Sequence, residues 1–319
     1  MKIVSVCDLS RIPEAVRLLK EMGTFVQVGK DRERLLKELP DTQVYFGGAE
    51  LEINKAALDC APNLRLIGSP ATGRDHLDLH EIAQRNITLF HIAEEYDLLK
   101  TLTATTEGAF TLLLALIRNL PAALQDAKQG IWSRDKHTGF QLFEKNLGII
   151  GLGRLGTIAA RIGQGFGMHV LATDIQERQM DGVRMVDLDT LLRESDVVML
   201  HVHLTPETTG LMNREAFARM KPSAVLINTS RGKVVDQDAL IDALSTGKIA
   251  GAGLDVIDGE WQSQEALYHH PLIAYARTHD HLLITPHSSS ATVESIYGAR
   301  LFMARKIVAY IKEQEAGRL

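Results

Sequence analysis

The chain of 319 residues is 45% hydrophobic and 24% charged, with a formal net charge of −5. This length favours two domains, and the small net charge, without a basic block, gives no support for a nucleic-acid partner. The first residues lack the pattern of a secretory signal, and the strongest apolar stretch is too short to cross a bilayer, so we expect no membrane partner. The chain has only two cysteines, Cys7 and Cys60, which predicts reduced thiols in a cytoplasmic protein.

The first ninety residues alternate short β-branched runs with charged segments of helical pattern. We predict strands over residues 2–6, 25–28, 43–46, 65–67 and 87–90, and helices over 11–21, 31–38, 54–60 and 79–84. This alternation is typical of a doubly wound parallel sheet in an α/β protein.

A long helix is predicted over residues 105–119, with Pro121 stopping it. Its centre, residues 110–117, is apolar on nearly every face, and such a helix must be buried on all sides. We expect it to lie between two domains or in a subunit interface.

A second α/β series follows. Strands are predicted over 147–150, 168–173, 197–200, 224–228, 250–255 and 282–284, and helices from a glycine turn to about residue 164 and over 293–312. The two halves therefore share an architecture, although no internal sequence repeat is evident.

The glycine turn, residues 151–156 with the sequence GLGRLG, lies between a predicted strand and a helix, and the next strand ends at Asp174. This arrangement is typical of dinucleotide binding. Gly151 permits the tight turn, Gly153 lets the backbone approach a pyrophosphate, and Gly156 allows close packing of helix on strand. Asp174 would bind the ribose hydroxyls and repel a 2′-phosphate, which favours NAD over NADP. The alternative is a structural turn in which Asp174 caps the strand end.

Three later segments carry side chains suited to hydride chemistry. Arg231 follows one buried strand, Asp255 and Glu260 follow the next, and His287 follows the last. Each segment lies at or beyond the carboxyl end of a strand, where ligands bind in open α/β sheets. Taken singly, each side chain has a plainer interpretation as a solvated charge or a turn residue.

Together these segments resemble the D-2-hydroxyacid dehydrogenase family. The matching strings are LGIIGLGRLG, HVHLTPETTGLMN, MKPSAVLINTSRGKVVDQDAL, GKIAGAGLDV and TPH, which cover most of residues 145–292. Looser matches cover residues 71–78 and the start of the apolar helix. The resemblance implies an NAD-binding Rossmann domain over 101–291 and a flavodoxin-like substrate domain over 1–100 plus 292–319. With the apolar helix, it also implies a homodimer.

The resemblance implies a role for each matching residue. Arg231 would bind the substrate carboxylate and polarise the carbonyl, His287 would be the general acid–base, and Glu260 would orient its ring. Backbone N–H groups of Thr72 and Gly73 would grip the carboxylate from the substrate domain. The implied cofactor residues are Gly151, Gly153, Arg154, Leu155, Gly156, Asp174, Val202, Thr229 and Asp255.

Other histidines are expected to have no part in catalysis. His201, after a buried strand, is expected to be structural, and His203 stands where the family usually has proline. No metal is expected, because the remaining histidines of the presumed polar loop lack a firm ligand spacing. These are His269, His270, His279 and His281, which we expect to be exposed.

The chain departs from the family beside the expected substrate. His91 stands where the family often has asparagine, Trp261 stands where it usually has proline, and the loop around residues 262–280 is longer than usual. Arg74 or Lys100 is a candidate for binding an anionic substrate tail. These departures leave the identity of the hydroxy acid open.

Two other functions remain as alternatives. The first is an NAD-sensing binding protein, similar to a transcriptional corepressor of this fold, with little turnover. The second is another NAD enzyme of this plan, such as a formate dehydrogenase. Glu260 argues against the second, since formate enzymes pair the histidine with glutamine.

Overall fold

The computed structural model describes residues 1–317 and divides the chain into two units. One unit contains Met1–Leu102 and the chain from Thr292 onward, and the other is Thr103–Ala291. Arg318 and Leu319, which end the predicted substrate domain, lie outside the described residues.

Strands and helices alternate through both units. The strands are β1 (Lys2–Ser5), β2 (Thr24–Gln27), β3 (Val44–Phe46), β4 (Leu66–Ser69), β5 (Thr88–His91), β6 (Asn146–Ile150), β7 (His169–Thr173), β8 (Val183–Met185), β9 (Val197–Leu200), β10 (Val225–Asn228), β11 (Gly251–Leu254) and β12 (Leu282–Ile284). The helices are α1 (Pro13–Glu21), α2 (Arg32–Glu38), α3 (Lys55–Asp59), α4 (Leu79–Gln84), α5 (Tyr96–Thr101), α6 (Ala104–Ile117), α7 (Leu120–Lys128), α8 (Arg154–Gly165), α9 (Leu188–Glu194), α10 (Arg214–Arg219), α11 (Gln237–Ser245), α12 (Gln264–Tyr268), α13 (Pro271–Ala276) and α14 (Ala299–Glu315), with a π-helical turn at Val293–Gly298 before α14.

The first unit is built on a parallel sheet whose described strands have the order β2-β1-β3-β4-β5. Successive side chains of a strand point to opposite faces. Ile3 and Phe46 therefore enter a core that includes residues of α1 and α14, while Val4 and Tyr45 enter the core on the other face. Burial on both faces explains the continuous apolar runs of these strands. This is the predicted flavodoxin-like order.

The second unit is built on another parallel sheet, whose described strands have the order β12-β11-β10-β9-β6-β7-β8. The order reverses at β6, which pairs with both β7 and β9. This is the Rossmann arrangement, in which ligands bind beyond the carboxyl ends of the strands at the reversal. The predicted α/β fold class, with two doubly wound parallel sheets, is confirmed.

Helix α6 is the apolar helix of the sequence. Phe110, Leu113 and Leu116 are buried in the core of the second unit, where α6 packs against β10, β11, β12 and α8. The strands and helices of its own unit therefore bury most of its apolar side chains, and the helix needs no subunit interface to explain its composition. Pro121 does not simply stop a helix, because it occupies the first turn of α7.

Several elements differ from the sequence-based expectation. Strand β8 and helices α5, α7, α9, α10 and α11 were not predicted, and the presumed loop 262–280 contains α12 and α13. Among the described residues no single helix has the length and apolarity to cross a membrane. The segments Tyr96–Ile117 and Leu120–Lys128 pass that test only as a pair, and the pair is bent by 63°.

Candidate active site

The glycine turn joins β6 to α8. Gly151 has φ +95°, and a Cβ there would collide with the backbone of His201. A Cβ at Gly156 would collide with the carbonyl of Gly151, so α8 packs directly on the turn. At Gly153, by contrast, a Cβ would meet open space. The turn therefore packs against the protein at Gly151 and Gly156. It leaves open space at Gly153, beside the first N–H groups of α8, which favour an anionic ligand.

Asp174, at the end of β7, is hydrogen-bonded to the glycine turn. One carboxylate oxygen accepts the Leu152 N–H at 2.8 Å, and the other accepts the Gln176 N–H at 2.9 Å. Arg178 Nε lies 3.6 Å from the same carboxylate. Asp174 thus caps the strand end, and each of its oxygens keeps a lone pair for a further donor.

Two buried polar atoms near the turn have no hydrogen-bond partner within the described residues. They are His201 Nε2, just after β9, and Thr229 Oγ1, just after β10. Burial lowers the pKa of His201 to about 4, so its imidazole is neutral at neutral pH. Buried polar atoms rarely lack partners, and the pair indicates a ligand with hydrogen-bonding groups at this edge of the sheet. Val202, the other candidate of this segment, has a side-chain carbon near the position of a Cβ on Gly151.

Arg231 is carried by a tight turn after β10. Fully buried Asn228 accepts hydrogen bonds from Ser230 N at 3.0 Å and Ser230 Oγ at 2.7 Å, and its amide donates to the Arg231 carbonyl at 3.0 Å. A Cβ on the next residue, Gly232, would collide with the backbone at Ile257. The loop after β10 therefore packs against the loop after β11.

Asp255 is the best-buried acid of the site, with an exposed fraction of 2%. Its Oδ1 accepts hydrogen bonds from Thr285 Oγ1 at 2.6 Å and from Ser288 N at 2.8 Å. Its Oδ2 accepts the Ser289 N–H at 2.9 Å. The carboxylate thus ties the end of β11 to the segment that follows β12. The sequence missed these three donors, although they flank His287 closely.

His287 and Glu260 are brought together as the sequence predicts. The Nδ1 of His287 lies 3.1 Å from Glu260 Oε1, and since an ionised carboxylate only accepts, Nδ1 carries the proton. The imidazole of His287 also lies against the indole of Trp261, with ring centroids 5.5 Å apart. His287 has φ +51°, in the left-handed region that non-glycine residues seldom occupy.

The candidate substrate loop, with Thr72 and Gly73, lies in the first unit after β4. Buried His91 fixes it: Nε2 donates to the Gly73 carbonyl at 3.1 Å, and Nδ1 accepts the Ala93 N–H at 3.1 Å. Burial lowers the pKa of His91. The sequence marked His91 as a departure from the family but not as a residue of the site.

The two candidate cations for an anionic tail also lie in the first unit. Arg74 is paired with Glu94 at 2.9 Å. Lys100 lies in α5 and is paired with Asp97 at 2.9 Å. Both pairs are substantially exposed, so the attraction within each is weak.

The histidines of the presumed loop are not all exposed, which corrects the expectation. His270 is buried at the start of α13 and donates from Nε2 to the Asp258 carbonyl at 2.9 Å. His281 is partly buried and hydrogen-bonded to Tyr275 at 3.0 Å. They are drawn inward because α13 packs on β12 and α11. No cluster of three or more metal-ligating side chains occurs among residues 1–317.

Comparison with known proteins identifies the family of this chain. Over residues 110–289 the sequence matches the family described as D-isomer specific 2-hydroxyacid dehydrogenase, NAD binding domain. The chain belongs to this family. The dehydrogenase is 36% identical to a glyoxylate reductase from Thermofilum pendens, over 94% of this chain and 89% of the relative.

Two further relatives extend the comparison. The dehydrogenase is 34% identical, over 94% of its own length, to a D-3-phosphoglycerate dehydrogenase from Archaeoglobus fulgidus, but it spans only 55% of that relative. The crystal structure of a D-lactate dehydrogenase from Aquifex aeolicus, complexed with NAD and lactic acid, matches with a TM-score of 0.85 at 29% identity. That match covers 100% of this chain and 96% of the other.

NAD is the cofactor of this dehydrogenase, as its matched family domain indicates. The geometry of the site fits this cofactor. The open side of Gly153 leaves room for a pyrophosphate. His201 Nε2 and Thr229 Oγ1, which have no hydrogen-bond partner among residues 1–317, directly follow β9 and β10 of the same sheet. The predicted family, reaction class and cofactor are therefore confirmed.

Proposed function

We propose that the dehydrogenase interconverts a small D-2-hydroxy acid and its 2-oxo acid, with Arg231, Glu260 and His287 as its catalytic residues. The observation that supports this most directly is the 3.1 Å hydrogen bond between His287 Nδ1 and Glu260 Oε1. It joins a histidine and a carboxylate at the ends of adjacent strands, and Arg231 follows the next strand of the same sheet.

His287 would act as the general acid–base. Because Nδ1 donates to Glu260, Nε2 is the atom that exchanges a proton with the substrate oxygen. It protonates the carbonyl oxygen during reduction and removes the hydroxyl proton during oxidation. Glu260, only 14% exposed, orients the ring and stabilises the imidazolium when it forms.

Arg231 would bind the substrate carboxylate. A guanidinium forms two parallel hydrogen bonds with a carboxylate and stays charged at all working pH values. Its turn is fixed by Asn228, which limits the motion of the bound acid. In the first unit, the N–H groups of Thr72 and Gly73 would bind the same carboxylate.

NAD, when bound, supplies or accepts the hydride at the carbon that bears the reacting oxygen. We assign its pyrophosphate to the glycine turn and the first turn of α8, and its adenosine ribose to Asp174. The complete set of proposed cofactor residues is Gly151, Gly153, Arg154, Leu155, Gly156, Asp174, Val202, Thr229 and Asp255. The charge of Asp174 favours NAD over NADP.

We retain the predicted homodimer but place its interface on a surface other than the buried helix α6. Exposed apolar side chains cluster in sequence after that helix, and Trp132 among them is 91% exposed. The others are Leu120, Leu124, Ile131 and Phe143. Burial of this segment against a second copy would remove a large apolar area from water. A cytoplasmic location also remains a prediction, supported by two free cysteines.

The test is NADH oxidation, followed spectrophotometrically, with glyoxylate, pyruvate, hydroxypyruvate and larger 2-oxo acids. His287→Ala should abolish turnover, and Glu260→Gln should lower kcat roughly ten- to a hundredfold by removing a charge-assisted hydrogen bond. Glu265→Gln, an exposed acid in the first turn of α12, is the matched control. Tight NADH binding without turnover of any acid would instead favour the NAD-sensing alternative.

A further inference from the structure

Trp261 lies beside the proposed acid–base. Its ring centroid is 5.5 Å from that of His287, with the two planes tilted by 38°. Trp261 directly follows Glu260, so two consecutive residues contact the same imidazole. The loop fixes them together, because the Gln262 N–H donates to the Gly259 carbonyl at 3.0 Å. The indole therefore has a defined place next to the reacting atoms.

Much of this indole is uncovered. Trp261 is 55% exposed, although tryptophan is one of the most apolar side chains. A large aromatic side chain contributes most to binding when a ligand covers it. Proline, the residue expected here from the family resemblance, would offer a smaller apolar surface. The exposed indole is thus a feature of this chain at the edge of its catalytic residues.

The charged side chains close to Trp261 in the sequence are all acidic. Residues 255–276 include no lysine or arginine, and the charged side chains of this segment are Asp255, Asp258, Glu260 and Glu265. Asp255 is buried, but Asp258 and Glu265 are exposed. With Arg231 assigned to the reacting carboxylate, these acids would disfavour a phosphate or a second carboxylate near Trp261, whereas they would not disfavour an uncharged apolar group.

Resting on the proposed function, we propose that Trp261 determines specificity by selecting 2-oxo acids with a branched or aromatic apolar substituent. His287 exchanges its proton with the oxygen of the reacting carbonyl. The substituent on that carbonyl carbon therefore lies within reach of an indole that touches the imidazole. Contact with the indole raises the catalytic efficiency for bulky acids and adds little for glyoxylate, which has only hydrogen there.

The experiment compares kcat/KM for glyoxylate, pyruvate, 4-methyl-2-oxopentanoate, phenylpyruvate and phosphohydroxypyruvate in wild type, Trp261→Ala and Trp261→Phe. Trp261→Ala should lower the values for the branched and aromatic acids roughly tenfold or more, and that for glyoxylate by less than about twofold. Trp261→Phe, which keeps an aromatic ring, should retain most of the preference. Thermal unfolding checks that the variants fold, as expected for a half-exposed side chain.

Tyr268→Ala is the matched control. Tyr268 is also an exposed aromatic of this segment, but its ring contacts His269 and Arg277 rather than His287. Equal losses for all five acids in Trp261→Ala, or a wild-type preference for phosphohydroxypyruvate, would overturn the inference and leave the proposed function intact. Absence of wild-type turnover with every acid would overturn both.

Discussion

The carboxylate of Asp255 and the hydroxyl of Thr285 lie 2.6 Å apart, and this hydrogen bond joins the ends of two neighbouring strands. The same carboxylate accepts the N–H groups of Ser288 and Ser289. These donors surround His287, whose φ of +51° is unusual for a residue with a side chain. We infer that Asp255 stabilises the backbone conformation that presents the imidazole.

Asp255→Asn tests this relationship. An amide replaces one carboxylate oxygen with an NH₂ group, so one of the donors now faces another donor in a buried site. We expect the free energy of unfolding in urea to fall by about 1–3 kcal/mol. Displacement of His287 should also lower kcat roughly ten- to a hundredfold.

Asp258→Asn, an exposed change in the same loop, is the control and should alter stability by less than about 0.5 kcal/mol. The two readouts separate a structural from a purely cofactor-binding role of Asp255. A loss of activity without any loss of stability in Asp255→Asn would show that the residue does not stabilise the loop.

The elements of the fold that were predicted correctly are those with a clear local signal in the sequence. Val197–Leu200 and Leu282–Ile284 were predicted residue for residue, because strands whose side chains pack on both faces are continuously apolar. Strand β8 was missed, since this short edge strand is interrupted by the charged Arg184. Helices α12 and α13 were missed although Ser263 caps α12 and Pro271 lies in the first turn of α13, because helices of five and six residues are too short to show a helical period.

The site shows the same division. Arg231, Glu260 and His287 were found because strand ends and motif spacing place them. The contact of Trp261 with His287 and the hydrogen bond from His91 to Gly73 depend on tertiary structure. Neither pair is marked by spacing, so the sequence showed only that His91 and Trp261 differ from the usual family residues.

Asp174 should determine the choice between NADH and NADPH. Asp174→Asn keeps an acceptor for the Leu152 N–H but removes the charge that repels a 2′-phosphate, and it leaves Arg178 nearby. We expect the ratio of kcat/KM for NADPH to that for NADH to rise at least about tenfold. Adding Arg178→Ala should reverse most of that rise. The exposed Glu177→Gln is the control, and an equal rise there would show a general charge effect instead.

His91 should affect the binding of the substrate but not that of the cofactor. It holds the Gly73 carbonyl from a fully buried position, so His91→Ala leaves the proposed substrate loop less constrained. We expect the KM for the 2-oxo acid to rise roughly tenfold and the KM for NADH to stay unchanged. His80→Ala, an exposed histidine of α4, should change neither. A parallel rise of both KM values in His91→Ala would point to general destabilisation.

His201 should make the dehydrogenase sensitive to acid. Burial lowers the pKa of His201 from 6.5 to about 4. Below pH 6.5 the unfolded chain therefore binds a proton that the folded chain does not, and stability is lost as the pH falls toward 4. Above pH 6.5 both states are neutral and the contribution is complete. Between pH 8 and pH 5 this group should cost about 2 kcal/mol of unfolding free energy.

The measurement is urea unfolding at pH 8 and pH 5 for wild type and His201→Asn. The variant has no titrating group at this position, so its loss of stability over that interval should be smaller by about 2 kcal/mol. His203→Asn, an exposed histidine two residues further along, should keep the wild-type pH dependence. If His201→Asn loses as much stability as wild type between the two pH values, protonation of His201 is not the cause of the loss at low pH.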